Sequence, residues 1–323
     1  MSPAKYKINL EFSGGHCIAE LLGDRDELIK LIERKYNVEI FILGDDLEIS
    51  GKLKSVREAT RLIKELAMQV NLGQRINKEK ISDSVKIMEN KSELDPHQVF
   101  GDSIIVNSGK KIKARTVGQK KYIDSIRRNT IVFSIGPAGT GKTYLALAAA
   151  VEALKENRVG RIILVKPVVE AGEKLGFLPG DIYDKVNPYL RPLYDALYEM
   201  LDIEKFQQYR DMGIIEVVPL AYMRGRTLND SFILLDEAQN TSPEQMMMFL
   251  TRLGFGSKMV ITGDITQVDL PSDRQSGLIL VKSILNNTEG IEFVNLTSKD
   301  IVRHELVQKI VDAYKEFEDR IKK

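Results

Sequence analysis

A glycine-rich stretch that ends in a lysine and a threonine has the residue types and spacing of a phosphate-binding loop. Its residues are Gly136, Pro137, Ala138, Gly139, Thr140, Gly141, Lys142 and Thr143. An apolar run over 131–135 precedes them, and a helix-forming run over 144–154 follows. Backbone N–H groups at the start of a helix attract phosphate. We expect Lys142 to reach the β- and γ-phosphates of a nucleotide and the Thr143 hydroxyl to bind Mg²⁺.

Two adjacent carboxylates follow a second apolar run, Phe232 to Leu235, and they suit metal-dependent hydrolysis. At the end of a parallel strand beside the loop, Asp236 can hold Mg²⁺ through water, and Glu237 can polarise the attacking water. The acidic pair favours hydrolysis over nucleotide binding alone. It disfavours a kinase, which needs a site for an acceptor rather than a positioned water.

Two glutamines are candidates for recognising the γ-phosphate and the base of the nucleotide. A third apolar run, Met259 to Thr262, leads into a turn that holds Gln267, which we expect to sense the γ-phosphate. Gln119 lies shortly before the loop, and a glutamine amide can pair with both N6 and N7 of adenine. No guanine-reading Asn-Lys-x-Asp sequence follows the loop, so the pattern favours ATP over GTP.

The composition excludes several classes of protein. Lys and Arg number 47 and Asp and Glu number 46, and the formal net charge of +1 is not that of a histone-like polycation. One cysteine, Cys17, and three histidines leave no internal disulfide and no cluster for a structural zinc ion. There is no apolar signal core at the start of the chain and no apolar run near the roughly 20 residues that cross a bilayer. We expect a soluble, cytoplasmic protein that contacts no membrane.

The first 71 residues have the pattern of a small α+β domain. Apolar residues at strand and helix spacing predict the order β-α-α-β-β-α over 1–71. KH-type RNA-binding modules have this order and clamp the nucleic-acid backbone with a G-x-x-G loop. The loop here runs from Gly23 to Asp26, so an aspartate replaces the second glycine, and two carboxylates flank Arg25. A KH-like domain that binds RNA and a small docking domain both remain open.

The rest of the chain divides into a connecting region and a larger domain. Residues 72–114 are expected to form a helical linker and a β-hairpin. Residues 115–323 are expected to form an α/β domain with a parallel sheet, because runs of strand and helix length alternate there. Positive charge is concentrated over Lys110–Arg128, where eight basic residues accompany one acid, Asp124. This segment predicts either an RNA contact or a solvated basic hairpin.

Several long stretches together resemble the PhoH family of P-loop ATPases. They are Thr116 to Gln119, Gly136 to Thr143, Val168 to Asp181, Pro219 to Asn240, Phe249 to Gly263 and Ile301 to His304. The resemblance implies a RecA- or helicase-like P-loop core, ATP and Mg²⁺ as ligands, ATP hydrolysis and a link to RNA metabolism. For members with a KH-like N-terminal domain, it implies an association with a YbeY-type endoribonuclease and with ribosomal RNA maturation.

Hydrolysis of ATP needs more positive charge near the γ-phosphate than Lys142 and Mg²⁺ supply. The chain has one phosphate loop, and residues 264–323 are too few for a second core. We therefore expect a neighbouring subunit of a homo-oligomer, closed as a hexameric ring, to supply an arginine. Arg303 is the first candidate, and Arg224 and Arg226 are next. The alternative is that these arginines form structural ion pairs.

Three classes of function stay open on these observations. The first is an RNA-stimulated, helicase-like ATPase in ribosomal RNA maturation or RNA processing, which the Lys110–Arg128 segment favours. The second is a nucleotide-dependent assembly factor for a nuclease, without a direct RNA contact. The third is a P-loop kinase, which the Asp236–Glu237 pair disfavours.

Overall fold

The computed structural model describes residues 4–11, 18–23, 26–43, 46–89, 95–106, 110–167, 182–271, 274–303 and 305–321. They belong to two units: unit 1 is Met1–Ser103 with Lys113–Val117, and unit 2 is Ile104–Ile112 with Gly118–Lys323. Some features singled out in the sequence lie outside the described residues, namely Cys17, the loop positions 24–25, the stretch 168–181 and position 304.

Unit 1 contains a three-stranded antiparallel sheet with helices around it. Its elements are β1 (Ala4–Asn9), α1 (Ala19–Leu22), α2 (Glu27–Tyr36), β2 (Val38–Leu43), β3 (Asp46–Gly51), α3 (Leu53–Asn71), α4 (Lys78–Glu89) and α5 (Pro96–Gly101). The strand order is β1-β3-β2, so β1 is an edge strand. The order β-α-α-β-β-α expected over 1–71 is present. The KH-like character of this unit stays a prediction.

The core of unit 1 forms where helices cover the sheet. Ile8 and Ile49 of the sheet share a buried cluster with Leu62 of α3. Ile81 and Val85, one turn apart on α4, belong to the same cluster. Burying this apolar face of α4 is favourable because it removes apolar surface from water. Helices α4 and α5, expected as part of a linker, therefore belong to unit 1.

Unit 2 alternates strands and helices along most of its length. Its elements are β4 (Ile104–Ile105), β5 (Lys111–Ile112), α6 (Val117–Arg128), β6 (Ile131–Ile135), α7 (Lys142–Lys155), β7 (Arg161–Lys166), α8 (Ile182–Met200), α9 (Ile203–Asp211), β8 (Ile215–Pro219), β9 (Ser231–Leu235), α10 (Pro243–Leu250), β10 (Lys258–Gly263), α11 (Gly277–Leu285), β11 (Ile291–Asn295) and α12 (Glu305–Ile321). β4 and β5 pair antiparallel, so the expected hairpin is present.

A six-stranded parallel sheet in the order β11-β6-β10-β9-β7-β8 forms the centre of unit 2. Every residue of β6 and of β9 is buried, as expected for strands with helices on both faces. The α/β core with a parallel sheet that the sequence predicts is confirmed. No helix in the described residues is both long enough and apolar enough to cross a membrane.

The register of the sheet brings three strand ends to one edge. Gly263 of β10 lies opposite Ile135 of β6, and Ile261 of β10 lies opposite Leu235 of β9. The residues that follow these strands therefore meet at the carboxyl edge of the sheet. Ligands of open α/β sheets bind at this edge. The phosphate loop follows β6, and Asp236 follows β9.

Candidate nucleotide site

The phosphate loop connects β6 to the first turn of α7. Gly141 precedes the helix with a left-handed backbone (φ 82°), and the Thr140 hydroxyl donates to the carbonyl oxygen of Pro137 at 2.8 Å. Gly136 has no room for a side chain, because a Cβ there would lie 2.6 Å from the carbonyl oxygen of Leu296. Contacts within the loop and with the chain after β11 thus fix its path. The N–H groups in the first turn of α7 can therefore donate hydrogen bonds to phosphate.

Thr143 and Asp236, the two residues predicted to bind the metal, are in contact. The Thr143 hydroxyl donates to Asp236 Oδ1 at 2.6 Å, and the Thr262 hydroxyl donates to the same oxygen at 2.8 Å. Asp236 is 7% exposed. A hydroxyl and a carboxylate are oxygen ligands of the kind Mg²⁺ takes, with water and phosphate completing its shell. The pair therefore fits a Mg²⁺ ion bound together with a nucleotide.

Glu237 follows Asp236 in a conformation that a buried glutamine supports. Its backbone is left-handed (φ 53°), which is uncommon for a residue with a side chain. The Gln239 amide donates to Glu237 Oε2 at 2.7 Å, and Gln239 Oε1 accepts the N–H of Asp264 at 3.0 Å. Gln239 is 1% exposed. It therefore ties the carboxylate expected to act on water to the residue that follows β10.

Gln267 belongs to the same cluster of polar side chains. Its side-chain amide donates to Asp264 Oδ2 at 2.7 Å, and its backbone carbonyl oxygen accepts from the Gln239 side-chain amide at 3.2 Å. Asp264 is buried and also accepts from the N–H and the hydroxyl of Thr266. The structure thus brings Gln267 to the edge that carries Glu237. Its role as a γ-phosphate sensor stays a prediction.

Lys142 folds back across its own loop. Its Nζ donates to the carbonyl oxygens of Gly136 at 2.6 Å and Pro137 at 2.9 Å. Burial lowers the pKa of Lys142, and nearby carboxylates, Asp264 first among them, act in the opposite direction. A polyphosphate bound here would add negative charge and favour the protonated ammonium. The lysine is therefore in reach of the place where phosphate is expected, held by weak carbonyl acceptors that phosphate oxygens can replace.

Gln119, on α6, lies against the phosphate loop. It is 4% exposed, and its amide donates to the carbonyl oxygens of Thr140 at 3.1 Å and Asp300 at 3.4 Å. The Asp300 carboxylate is buried, accepts the N–H of Thr297 at 2.8 Å and fills the space that a side chain on Gly118 would need. The structure thus brings Gln119 to the site, with its amide bonded to backbone carbonyls. Its contact with adenine stays a prediction.

Comparison with known proteins points to one family. The model of the family described as "PhoH-like protein" matches residues 111–315, a range that contains the loop, Asp236 and Glu237. The chain belongs to the PhoH family. A PhoH-like protein of Mycobacterium bovis is 52% identical over 302 residues, which cover 94% of this chain and 86% of the relative. A PhoH-like protein of Bacillus subtilis is 49% identical over 296 residues, which cover 91% and 92% of the two chains.

Among solved structures, the SWI2/SNF2 ATPase core of Sulfolobus solfataricus in complex with dsDNA is similar to this PhoH-family chain with a TM-score of 0.33 and 14% identity. The match covers 55% of this chain and 43% of that one. The order of the parallel strands and the phosphate loop at their carboxyl edge define the fold.

Arg303 lies at the phosphate loop of its own chain. The N–H of Val302 donates to the carbonyl oxygen of Gly139 at 3.0 Å, and the Arg303 guanidinium fills the space that a Cβ on Gly139 would take. From the sequence, Arg303 is expected to serve the site of a neighbouring subunit. The structure places it at the site within the same chain, because β11 runs beside β6 and delivers the following residues to the loop.

The other two candidate arginines differ in their surroundings. Arg226 donates to both carboxylate oxygens of Glu216, at 2.8 and 2.6 Å, and so forms a structural ion pair, which is the alternative expected for these arginines. Arg224 follows the short 3₁₀ helix Leu220–Met223 and is exposed. A contact of Arg224 with another subunit stays a prediction.

Acidic side chains balance much of the charge in the Lys110–Arg128 segment. The ion pairs are Lys110 with Glu199, Arg115 with Asp83, Lys120 with Asp124 and Arg127 with Glu152. Lys111, Lys121 and Arg128 are exposed. The RNA contact expected in this segment stays a prediction, and these three side chains are its exposed cations outside the four ion pairs.

Four buried polar residues of the site were not singled out from the sequence, namely Gln239, Thr262, Asp264 and Asp300. The first three lie at or just after the ends of β9 and β10. The rule that ligands bind at the carboxyl edge of a parallel sheet could have found them. The backbone carbonyl oxygen of Asp300 accepts from Gln119, which lies 181 residues earlier in the chain, and no local sequence pattern predicts that contact.

Proposed function

We propose that this PhoH-family chain hydrolyses ATP in a Mg²⁺-dependent reaction. The observation that carries the proposal is the contact between Thr143 and Asp236, with Glu237 as the next residue, at the edge where the phosphate loop begins. A site that only binds nucleotide needs the loop and the metal ligands. The further carboxylate, held by Gln239, supports hydrolysis.

Each residue of the site has a task that follows from its chemistry. The N–H groups of the loop and Lys142 hold the β- and γ-phosphates, and Thr143 and Asp236 hold the metal. When bound, Mg²⁺ neutralises charge on the phosphate oxygens. Glu237 orients the attacking water and accepts its proton.

Arg303 completes the positive charge around the γ-phosphate. Its guanidinium lies beside Gly139 of the phosphate loop. Negative charge on the phosphoryl oxygens must be stabilised in the transition state, and a fixed cation there lowers the barrier. We therefore assign Arg303 to the site of its own chain.

We further propose that hydrolysis serves RNA processing, such as ribosomal RNA maturation. The exposed cations Lys111, Lys121 and Arg128 support this, together with the family resemblance. The proposal includes a YbeY-type endoribonuclease or a ribosome-associated protein as partner and a cytoplasmic location. It also includes assembly into a homo-oligomer in the form of a hexameric ring. Exposed apolar residues of α12, such as Ile310 and Phe317, support contact with a second copy.

One experiment separates the proposal from its alternatives. Phosphate release from ATP is measured with Mg²⁺ or with EDTA, with and without single-stranded RNA, at two salt concentrations. We expect hydrolysis that requires Mg²⁺ and an RNA stimulation that weakens with salt, because RNA binding releases counterions. Hydrolysis without any RNA effect would favour the assembly factor. Transfer of phosphate to an acceptor other than water would favour the kinase, and no turnover at all would contradict the proposal.

A further inference from the structure

A cavity of about 610 Å³ lies in unit 1 between the edge strand β1 and helix α3. It involves no residue of the nucleotide site. The side chains that matter for its chemistry are Lys5 and Tyr6 from β1 and Leu53, Arg57, Arg61 and Lys64 from α3. Cations and apolar groups thus line the same concave surface.

Three of these cations form a row along α3. Arg57, Arg61 and Lys64 are four and then three residues apart, so they lie on one face over about 10 Å of helix. All three are exposed. In the described part of unit 1, Arg61 pairs with Asp95 at 2.8 Å, and no carboxylate pairs with Arg57 or Lys64. A row of this kind suits a ligand that carries several negative charges in line.

The two carboxylates of the cavity do not cancel this charge. Glu65 is buried, accepts the N–H of His97 at 2.9 Å and contacts the Nδ1 of His97 at 2.7 Å. The pair of Asp95 with Arg61 is solvent-exposed on both sides, and exposed ion pairs are weak. A phosphate can therefore take the place of Asp95 beside Arg61.

Tyr6 adds an aromatic surface to the same cavity. It is 51% exposed, and Leu53 is 57% exposed. A row of cations beside an exposed aromatic ring is the combination that binds single-stranded nucleic acid, since phosphates meet the cations and a base stacks on the ring. A peptide that added a strand to β1 would bond to its backbone and would not need the cations of α3. The side chains therefore favour a nucleic acid over an acidic peptide.

We propose that this cavity binds single-stranded nucleic acid. Arg57, Arg61 and Lys64 contact successive phosphates, and Tyr6 stacks on a base, whereas Lys5 is paired with Glu48 at 2.9 Å. The surface differs from the Gly23–Asp26 loop, which connects α1 to α2, and from the Lys110–Arg128 segment. The choice of RNA as the strand bound in the cell rests on the proposed function, whereas the site itself does not.

The test measures binding of a labelled single strand of about 12 nucleotides, as RNA and as DNA, to the full chain over a range of salt concentrations. One variant combines Arg57→Ala with Lys64→Ala, and a second carries Tyr6→Ala. The matched control combines Arg34→Ala with Lys86→Ala, which removes the same charge from exposed positions on α2 and α4. Thermal melting of each variant checks that unit 1 stays folded.

We expect the Arg57–Lys64 variant to bind about tenfold more weakly. Its slope of log affinity against log salt should flatten by about 1.4, because each phosphate of a single strand that a cation neutralises adds about 0.7 to the slope. Tyr6→Ala should weaken binding about tenfold with an unchanged slope, because stacking carries no charge. The control should bind like the unmodified chain, and ATP hydrolysis without RNA should be the same in all variants.

Three results would overturn the cavity as the site. In the first, the Arg57–Lys64 variant matches the control while a Lys111, Lys121 and Arg128 triple alanine variant loses binding, which leaves the proposed RNA role intact. In the second, a labelled polyglutamate peptide binds in the cavity in place of either nucleic acid. In the third, the unmodified chain binds neither strand, which removes the cavity assignment and the RNA role together but leaves ATP hydrolysis to be judged by its own assay.

Discussion

At the nucleotide site of unit 2 the carboxylates of Asp236 and Asp264 are buried and hydrogen-bonded, whereas in the cavity of unit 1 the cations are exposed along one helix. Asp236, Gln239 and Asp264 are each less than a tenth exposed, and hydrogen bonds join them to neighbouring strand ends. Arg57 and Lys64 extend from α3 into solvent. Burial fixes the distances that a reaction needs, while an exposed row supplies charge without fixed geometry.

This difference predicts how the two regions respond to substitution and to salt. Buried charges are screened little by ions, so changes at the nucleotide site should act on the rate of hydrolysis at any ionic strength. Exposed charges are screened strongly, so changes in the cavity should act on affinity and fade as salt rises. Substitutions at the nucleotide site test this contrast, beginning with the one that should slow hydrolysis most.

The largest effect is expected from Lys142→Ala. The substitution removes the ammonium that reaches the phosphates, so phosphate release should fall below detection and nucleotide affinity should drop. Lys282→Ala is the control, because Lys282 is an exposed lysine on α11 that touches no part of the site. Turnover of Lys142→Ala within threefold of this control would show that the lysine has no part in catalysis.

Arg303→Ala should lower kcat by about 10³-fold, the scale of an arginine that stabilises the phosphoryl group. Because Arg303 lies at the loop of its own chain, a mixture of Arg303→Ala and Glu237→Gln proteins should have only the summed activity of the two. The assay is the ATPase rate of the mixture against each protein alone. Recovery of activity on mixing would instead favour the arrangement in which Arg303 serves a neighbouring subunit.

Asp236→Asn should weaken Mg²⁺ affinity by about 10- to 100-fold. The amide keeps the shape of the side chain but removes the negative charge that attracts the metal. The measurement is the Mg²⁺ concentration that gives half-maximal hydrolysis. Asp230→Asn is the control, since Asp230 is exposed just before the same strand and its left-handed backbone (φ 47°) is one that asparagine tolerates. An equal Mg²⁺ requirement in both variants would remove Asp236 from the metal site.

Gln239→Ala should lower kcat about tenfold while KM for ATP stays unchanged. Gln239 contacts Glu237 and the backbone beside β10, so its loss frees the carboxylate that orients water but leaves the phosphate loop intact. Gln245→Ala is the control, because Gln245 caps α10 and is exposed. A rise in KM with kcat unchanged would instead assign Gln239 to nucleotide binding.

How much of this could be predicted from the sequence depends on the distance over which each contact acts. The loop from Gly136 to Thr143 and the Asp236–Glu237 pair follow apolar runs, so local pattern alone located them. Thr143 and Asp236 are 93 residues apart, and their contact is expected because the carboxyl ends of parallel strands lie at one edge of the sheet.

Other features depend on tertiary contacts that no local pattern contains. The side of the loop on which Arg303 lies depends on the insertion of β11 beside β6, and a sequence does not give that strand order. A helix is expected in the region of α4, but its packing against the core of unit 1 does not follow from the sequence. Three of the four ion pairs that balance Lys110–Arg128 join residues far apart in sequence, such as Arg115 and Asp83.

Glu237→Gln removes the group that acts on water beside a metal held by Asp236. The measurement pairs the affinity for ATP and Mg²⁺ with the rate of phosphate release, and Glu244→Gln, an exposed position on α10, is the control. We predict near-normal binding with hydrolysis slowed by about 10²-fold or more, because the amide keeps the shape but cannot take a proton. A Glu237→Gln protein that releases phosphate at the rate of the control would contradict the account.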